Sequence, residues 1–176
     1  MQNEERSAPP ALDADTLAFA RKVFGHARTG RAQDLAELLD MGLPPNLRNE
    51  NGDSLLMLAS YHGHADAARA LLAHGGDPAL ANDRGQTPLA AAAFKGDLAV
   101  ACVLLEGGAD VNGSGPDGRT ALTMAAMFNR TEIVDLLLAH GAKLDARGAD
   151  GLTAQAAAQA MGASDAAEQL ARAARG

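Results

Sequence analysis

The sequence has little of the chemistry that marks a disulfide-linked or membrane-spanning protein. Its 176 residues include one cysteine, no tryptophan, one tyrosine and four phenylalanines. A single cysteine excludes a disulfide within the chain. No stretch approaches the ~18 consecutive apolar residues of a membrane span. We therefore expect neither an internal disulfide nor insertion into a membrane.

Positive charge is also scarce, because 15 Lys and Arg residues stand against 22 Asp and Glu residues and give a formal net charge of −7. Nucleic-acid-binding surfaces cluster Lys and Arg to neutralise phosphates. The sequence shows no such cluster, so we expect no nucleic-acid partner. Residues 1–15 lack the apolar segment of a secretory signal. The prediction is a cytoplasmic location, or a periplasmic one if a signal peptide has been removed.

What the sequence does contain is a repeat with a period of 33 residues. This step links turn glycines, residues that can cap a helix, and pairs of leucines in one register. These are Gly52, Gly85, Gly118 and Gly151; Ser54, Thr87, Thr120 and Thr153; and Leu38-Leu39, Leu71-Leu72, Leu104-Leu105 and Leu137-Leu138. Independent markers in one register predict a solenoid in which each unit stacks on its neighbours.

The period divides the chain into a lead-in and one elongated domain. Residues 1–11 are polar and contain Pro9-Pro10, so they are predicted to be disordered. The domain is predicted at residues 12–176, with units at 12–45, 46–79, 80–112, 113–145 and 146–176. Phe19 replaces the turn glycine in the first unit, and Gln155 and Gln159 replace apolar residues in the last, so both are predicted to be capping units. We expect Phe19 and Phe24 to lie in the core.

The motifs of these units resemble those of the ankyrin repeat family over roughly residues 16–174. The family's Thr-Pro-Leu-His is matched best by Thr87-Pro88-Leu89-Ala90, and its closing Gly-Ala-Asp-Val-Asn appears intact at residues 108–112. The resemblance implies an all-α solenoid of helix-turn-helix units joined by β-turn loops, with five units including two capping units. No unit keeps the histidine of the first motif, so the Thr–His hydrogen bonding common in the family is expected to be absent.

Ankyrin repeats bind other proteins through their turn tips and inner helices. The resemblance therefore implies a non-catalytic module that binds another protein, with no cofactor and no small-molecule substrate, and that is a monomer when alone. The regular spacing also leaves no room for an inserted catalytic loop. The alternative is an accessory or inhibitory subunit that regulates an enzyme, because the sequence resembles small bacterial arrays of which some are associated with catalase function.

The main candidate for a binding surface is a column of aromatic residues. In the family, the two residues that end each first helix face the concave surface, and here they are Arg28-Thr29, Tyr61-His62, Phe94-Lys95, Met127-Phe128 and Ala160-Met161. Aromatic and Met side chains are enriched where proteins bind each other. We expect Tyr61, His62, Phe94, Lys95, Met127, Phe128 and Met161 to contact the partner. The alternative is that the large side chains among them cover the ends of the core.

Charged and polar residues at the turn tips are expected to form a rim around that column. These residues are Arg48, Asn51, Asp83, Arg84, Gln86, Asp117 and Arg119. Both signs of charge alternate among them. Such a rim provides orientation and specificity more than affinity.

Two other groups of side chains have both a chemical and a structural interpretation. His62 and His64 could offer two imidazoles to a metal, but protein sites normally use three or four ligands, and His64 stands where the family forms a structural hydrogen bond. Cys102 is predicted on the outer face of a second helix, where it could be oxidised between molecules or simply be tolerated. We favour the structural interpretation of both and predict no metal site.

Overall fold

The structure of the protein is a computed structural model that describes residues 13–176. The predicted lead-in, residues 1–11, lies outside the described residues. Within them the chain forms ten helices, and three isolated antiparallel bridges are its only β-structure. The helices are α1 (Ala14–Thr29), α2 (Ala32–Asp40), α3 (Leu55–Tyr61), α4 (Ala65–Ala73), α5 (Pro88–Lys95), α6 (Leu98–Glu106), α7 (Ala121–Met127), α8 (Thr131–Ala139), α9 (Ala154–Ala160) and α10 (Ser164–Ala173). The prediction of an all-α solenoid is confirmed.

Consecutive helices pack in pairs, from α1 with α2 to α9 with α10, and the pairs stack in chain order. The odd-numbered helices form one row and the even-numbered helices a second row. Small side chains fill the first row, where Ala59, Ala92 and Ala125 are fully buried in the same register. Because alanine projects little beyond the backbone, neighbouring helices approach closely and leave few voids.

Helices α3, α5, α7 and α9 each begin at a Ser or Thr that caps the first turn. The hydroxyl oxygen accepts a hydrogen bond from the backbone N–H three residues later, at 3.0 Å for Ser54, 3.2 Å for Thr87, and 3.3 Å for both Thr120 and Thr153. Pro88 follows Thr87 at the first helical position, where its missing N–H costs nothing. The caps fix where each helix begins, and hence where its last residues lie.

The turn between the two helices of a pair requires a residue with positive φ. Four pairs use glycine, with φ of 72° at Gly30, 79° at Gly63, 80° at Gly96 and 73° at Gly162, whereas Asn129 takes φ 56° at the same register. Asparagine tolerates this conformation better than most residues do. Its amide also donates to Asp165 Oδ2 and accepts from the Ala166 N–H, both at 2.9 Å. Asn129 therefore ties the end of α7 to the start of α10.

One prediction about the core is wrong. Phe19 is 46% exposed, while Phe24 is half-buried against the core. Helix α1 has 16 residues and α3 has 7, and the start of α1 from Asp13 to Phe19 is exposed. The sequence pattern could not show that, within residues 13–176, the first turns of α1 have no neighbour to cover them.

Among residues 13–176, no helix combines the length and the apolar character needed to cross a bilayer.

Candidate functional site

Four turn loops, which we call tips, precede the helices α3, α5, α7 and α9. The first tip is residues 48–54, the second 81–87, the third 114–120 and the fourth 147–153. Each is closed by a backbone hydrogen bond from its fifth residue to its second, and the donors are Gly52 at 3.0 Å and Gly85, Gly118 and Gly151 at 2.9 Å. The tips thus share one backbone design that places their variable side chains in register.

Backbone hydrogen bonds join neighbouring tips in two pairs. The N–H of Asp83 donates to the Asn51 carbonyl at 3.1 Å, and the N–H of Ala149 donates to the Asp117 carbonyl at 2.8 Å. We call the first and second tips the N-terminal tip pair, and the third and fourth tips the C-terminal tip pair.

The junction between the two tip pairs lacks this bond. The corresponding residue of the third tip is Pro116, which has no N–H to donate. The second and third tips instead meet through their backbones, because a Cβ placed on Gly115 would overlap the carbonyl oxygen of Gly85. Only glycine fits at this point of contact.

A buried side-chain network supports the N-terminal tip pair. Asn82 Oδ1 accepts from the N–H groups of Arg84 at 3.1 Å and Gln86 at 3.0 Å, and Asn82 Nδ2 donates to Asp53 Oδ1 at 2.8 Å. Asp53 and Asn82 are each 6% exposed. Asn49 Nδ2 donates to the other carboxylate oxygen of Asp53 at 3.4 Å. The network links two units through side chains that the sequence predictions did not select.

The three aromatic rings predicted to share a surface are in contact. Tyr61 ends α3, Phe94 lies near the end of α5, and Phe128 follows α7. The Tyr61 and Phe94 ring centroids are 6.2 Å apart with nearly parallel planes, and those of Phe94 and Phe128 are 4.6 Å apart, edge to face. All three side chains are half-buried. We call Tyr61, Phe94 and Phe128 the aromatic column.

Cationic side chains lie beside the aromatic column. Lys95 Nζ is 4.9 Å from the Tyr61 ring centroid, a cation–π geometry. The His62 ring packs edge to face on Tyr61 with centroids 5.3 Å apart. Partial burial lowers the pKa of His62, and the charges of His64, Arg28 and Lys95 lower it further. Positive potential is therefore concentrated at this end of the column.

The two predicted methionines differ in position. Met127 is half-buried at the end of α7. Met161 is 53% exposed and follows α9. The exposed face of the last unit thus carries an apolar side chain.

Two arginines of the predicted rim are held by the array itself. Arg48 donates to the carbonyls of Gly52 at 3.0 Å and Ala81 at 2.7 Å. Arg119 Nη2 lies 3.4 Å from Asp150 Oδ2. The Leu152 N–H, and after it Arg119, keep the pKa of Asp150 below its usual range. These arginines link neighbouring tips, whatever else they contact.

Among the other predicted rim residues, Asp83 Oδ1 lies 3.8 Å from Arg48 Nη2. Asn51, Asp83 and Arg84 are exposed, and Gln86 and Asp117 are half-buried. Arg84 has no carboxylate within 4.0 Å among the residues that the structure describes. Its guanidinium is available to a ligand.

A cleft of about 210 Å³ lies between the N-terminal tip pair and the helix ends. Its lining includes Arg28, Asp53, Leu58, Tyr61, His62 and Arg84. Two predicted regions, the aromatic column and the rim, therefore meet at this cleft. Arg28 was present in the same two-residue pattern as Tyr61-His62, but the prediction selected aromatic and Met side chains and left it out.

Asp53, Asn49 and Asn82 were missed for a different reason. Asn49 and Asn82 are 33 residues apart, and this recurrence was the available signal. Turn asparagines are common for local reasons, so their position gave no indication of a buried carboxylate.

The histidines and the cysteine form no reactive cluster. Within residues 13–176, no three His, Cys, Asp or Glu side chains are arranged to hold a metal ion. His64 Nε2 lies 2.8 Å from the Arg28 carbonyl oxygen, which confirms the structural hydrogen bond predicted for it. Cys102 is half-buried on α6.

Comparison with known proteins adds two findings. The family model described as ankyrin repeats (3 copies) matches residues 24–115 and 108–175. A curated ankyrin repeat protein of Pseudomonas aeruginosa is 60% identical over 63 residues. That match covers 36% of this chain and 37% of the relative, so the chain matches little more than a third of the relative's length.

Proposed function

The chain belongs to the ankyrin repeat family, and from that premise we propose that it is a non-catalytic module that binds a partner protein on the aromatic column and the tips. Ankyrin repeats generally mediate contacts between proteins. The observation that carries the proposal is the continuous contact of Tyr61, Phe94 and Phe128 across three helix pairs. These rings make up most of the aromatic content of the chain, which has one tyrosine and four phenylalanines.

The exposure of the column supports this use. Phe94 and Phe128 pack against the core on one side and are half-exposed on the other. A ring that is already held in place loses little conformational freedom when a partner covers it, and this favours affinity. The half-buried rings therefore pack on the core with one side and can contact a partner with the other.

The neighbouring polar residues fit a surrounding rim. Asn51, Asp83, Arg84, Gln86, Asp117 and Lys95 would orient the partner, while Arg48 and Arg119 keep the tips aligned. Met127 and Met161 would extend the apolar contact towards the last unit.

We also propose that residues 12–176 form one domain of five units. The protein is a monomer in the cytoplasm until it binds its partner. Regulation of an enzyme, including a redox enzyme, would use the same surface. No residue in the structure favours that narrower role.

The test is capture of a partner by the wild-type chain and by Phe94→Ala combined with Phe128→Ala. Both proteins are used as baits in an extract of the source organism, and enriched proteins are identified by mass spectrometry. The enriched protein is then purified and its binding to each bait measured by calorimetry. We expect the double variant to lose at least about tenfold in affinity, because aromatic anchors often contribute about 2 kcal/mol or more.

Leu98→Ala is the matched control, since Leu98 is 38% exposed on α6, in the row of even-numbered helices. We expect it to bind like wild type. If the Ala double variant loses its helical circular dichroism, Phe94→Leu with Phe128→Leu decides the question, because leucine keeps apolar volume over the core. Undiminished binding by a folded double variant would contradict the proposal.

A further inference from the structure

The cleft at the N-terminal tip pair gathers cations that lack acidic partners. Arg28 and Arg84 line it together with His62. Lys95 stands nearby, over the Tyr61 ring. Within residues 13–176, no carboxylate comes within 4.0 Å of Arg28, Arg84 or Lys95. This is a local positive site on a protein whose formal net charge is −7.

The one carboxylate that lines the cleft is already engaged. Asp53 is 6% exposed. Its Oδ1 accepts from Asn82 Nδ2 at 2.8 Å and its Oδ2 from Asn49 Nδ2 at 3.4 Å. Asp53 therefore holds the tips together and forms no ion pair with Arg28 or Arg84.

We propose that the cleft binds the carboxylate of an Asp or Glu side chain from the partner protein, with an apolar neighbour of that residue lying on Tyr61. This inference rests on the proposed function, because it names the chemistry of the segment that the surface binds. Arginine recognises carboxylates through two parallel hydrogen bonds. Arg28 reaches the cleft from α1 and Arg84 from the second tip, so a carboxylate between them would bridge the helix row and the tips.

The size and charge of the cleft favour a single side chain. A volume of about 210 Å³ is below the roughly 300–1,000 Å³ of typical small-molecule sites. Only two arginines, Arg28 and Arg84, line the cleft, whereas a nucleic-acid site needs an extended row of cations. An acidic residue beside an apolar one matches both the arginines and the aromatic column.

His62, which also lines the cleft, is affected by these positive charges. Burial and the positive charges of His64, Arg28 and Lys95 together lower the pKa of His62. An incoming carboxylate would relieve the repulsion among these groups.

The experiment selects a displayed library of random peptides on the full chain. We expect the selected peptides to share an Asp or Glu next to an aromatic or aliphatic residue. Arg28→Gln combined with Arg84→Gln should weaken the best peptide at least about tenfold, because truncating one member of a hydrogen-bonded charge pair is costly. Asp→Asn or Glu→Gln in the peptide should cause a similar loss, and the two losses should not add when combined.

Arg172→Gln with Arg175→Gln is the matched control, since it makes the same change of charge in the exposed C-terminal segment. It should leave binding unchanged. Peptides that need Phe94 and Phe128 but carry no acidic residue would overturn the carboxylate site and leave the proposed function standing. Acidic peptides that need the arginines but bind equally well without the two rings would support this site and count against the aromatic column. Failure to select any peptide would count against both.

Discussion

The two tip pairs occupy equivalent places in the solenoid but are held by different chemistry. In the N-terminal tip pair, Asn49 and Asn82 donate to the buried carboxylate of Asp53. Glycine stands at the two corresponding positions of the C-terminal tip pair, Gly115 and Gly148. The same repeat positions therefore hold hydrogen-bonding asparagines in the N-terminal tip pair and glycines, which have no side chain, in the C-terminal tip pair.

The N-terminal tip pair has an exposed ion pair as well as the network, with Arg48 and Asp83 3.8 Å apart, whereas the C-terminal tip pair has an exposed ion pair without such a network. Arg119 and Asp150 are 3.4 Å apart, with side-chain exposures of 39% and 40%. Water screens such a pair and it adds little to stability, whereas hydrogen bonds to a buried carboxylate are stronger. A regular repeat can therefore be held by a buried side-chain network at one end and by backbone contacts and an exposed ion pair at the other. The end with the buried network also forms the cleft lined by Arg28 and Arg84.

Gly115→Ala should disrupt the backbone contact between the two tip pairs and have the largest effect on stability. The added Cβ would overlap the carbonyl oxygen of Gly85, and backbone cannot rotate away as a side chain does. We expect the free energy of unfolding to fall by about 3 kcal/mol, at the upper end of overpacking costs. Urea unfolding followed by circular dichroism measures the change.

The control is Gly148→Ala, at the same position one repeat later. Its Cβ would meet Asp150 Oδ1 at 2.8 Å, which belongs to a side chain that can move. Equal losses in the two variants would mean that the backbone contact at Gly115 is not special.

Asn82→Ala should remove most of the side-chain network that stabilises the N-terminal tip pair. It deletes the acceptor for two backbone N–H groups and a donor to the buried carboxylate of Asp53. We expect a loss of about 2 kcal/mol in the free energy of unfolding. Asn49→Ala should cost less, because Asn49 is more exposed than Asn82 and its bond to Asp53 is longer, at 3.4 Å. The same urea titration ranks the two variants, and a larger loss for Asn49→Ala would contradict the ranking.

The smallest effect on stability should come from His74, which follows helix α4 in the even-numbered row. His74 Nδ1 lies 2.7 Å from the Ala70 carbonyl and Nε2 lies 3.0 Å from Asp40 Oδ1. The Ala70 carbonyl, and then Asp40, raise the pKa of His74 above its ordinary value of 6.5. His140, two repeats later, keeps the carbonyl contact at 2.8 Å but has no carboxylate within 4.0 Å among residues 13–176.

A histidine with a raised pKa in the folded state stabilises the fold fully below its unfolded pKa and loses that contribution as the pH rises through the folded value. The melting temperature of wild type should therefore exceed that of His74→Gln most at about pH 5.5, and the gap should narrow towards about pH 8.5. His140→Gln is the control for loss of an imidazole. A gap for His74→Gln that is constant or widens with pH would refute the charge interaction with Asp40.

The repeated elements could be predicted because their chemistry is local. A Thr-Pro pair such as Thr87-Pro88 indicates a helix start from local sequence alone, because threonine caps the helix and proline fits its first position. The 33-residue register extended the prediction of a helix start to Ser54, Thr120 and Thr153. The same 33-residue step aligns Asn129 with the turn glycines Gly63 and Gly96. Its hydrogen bonds to α10, in contrast, involve residues more than one repeat away, and no local rule contains them.

The candidate surface was only partly predictable from the sequence. The register placed Tyr61, Phe94 and Phe128 on one side of the array, but ring contact depends on how closely the helices stack. Arg28 was passed over because it is not aromatic, although it shares the position of Tyr61 one repeat earlier. The role of the tyrosine and the two phenylalanines in binding stays a prediction.

Pro116 has a consequence for partners that are long enough to span the row of tips. Because it donates no hydrogen bond, the N-terminal and C-terminal tip pairs touch without being tied, and a long partner would bind them as two linked sites. Once a partner occupies one tip pair, it meets the other at an effective concentration set by the distance between the two pairs. We therefore expect the avidity for such a partner to depend on residue 116 as well as on the side chains that contact it.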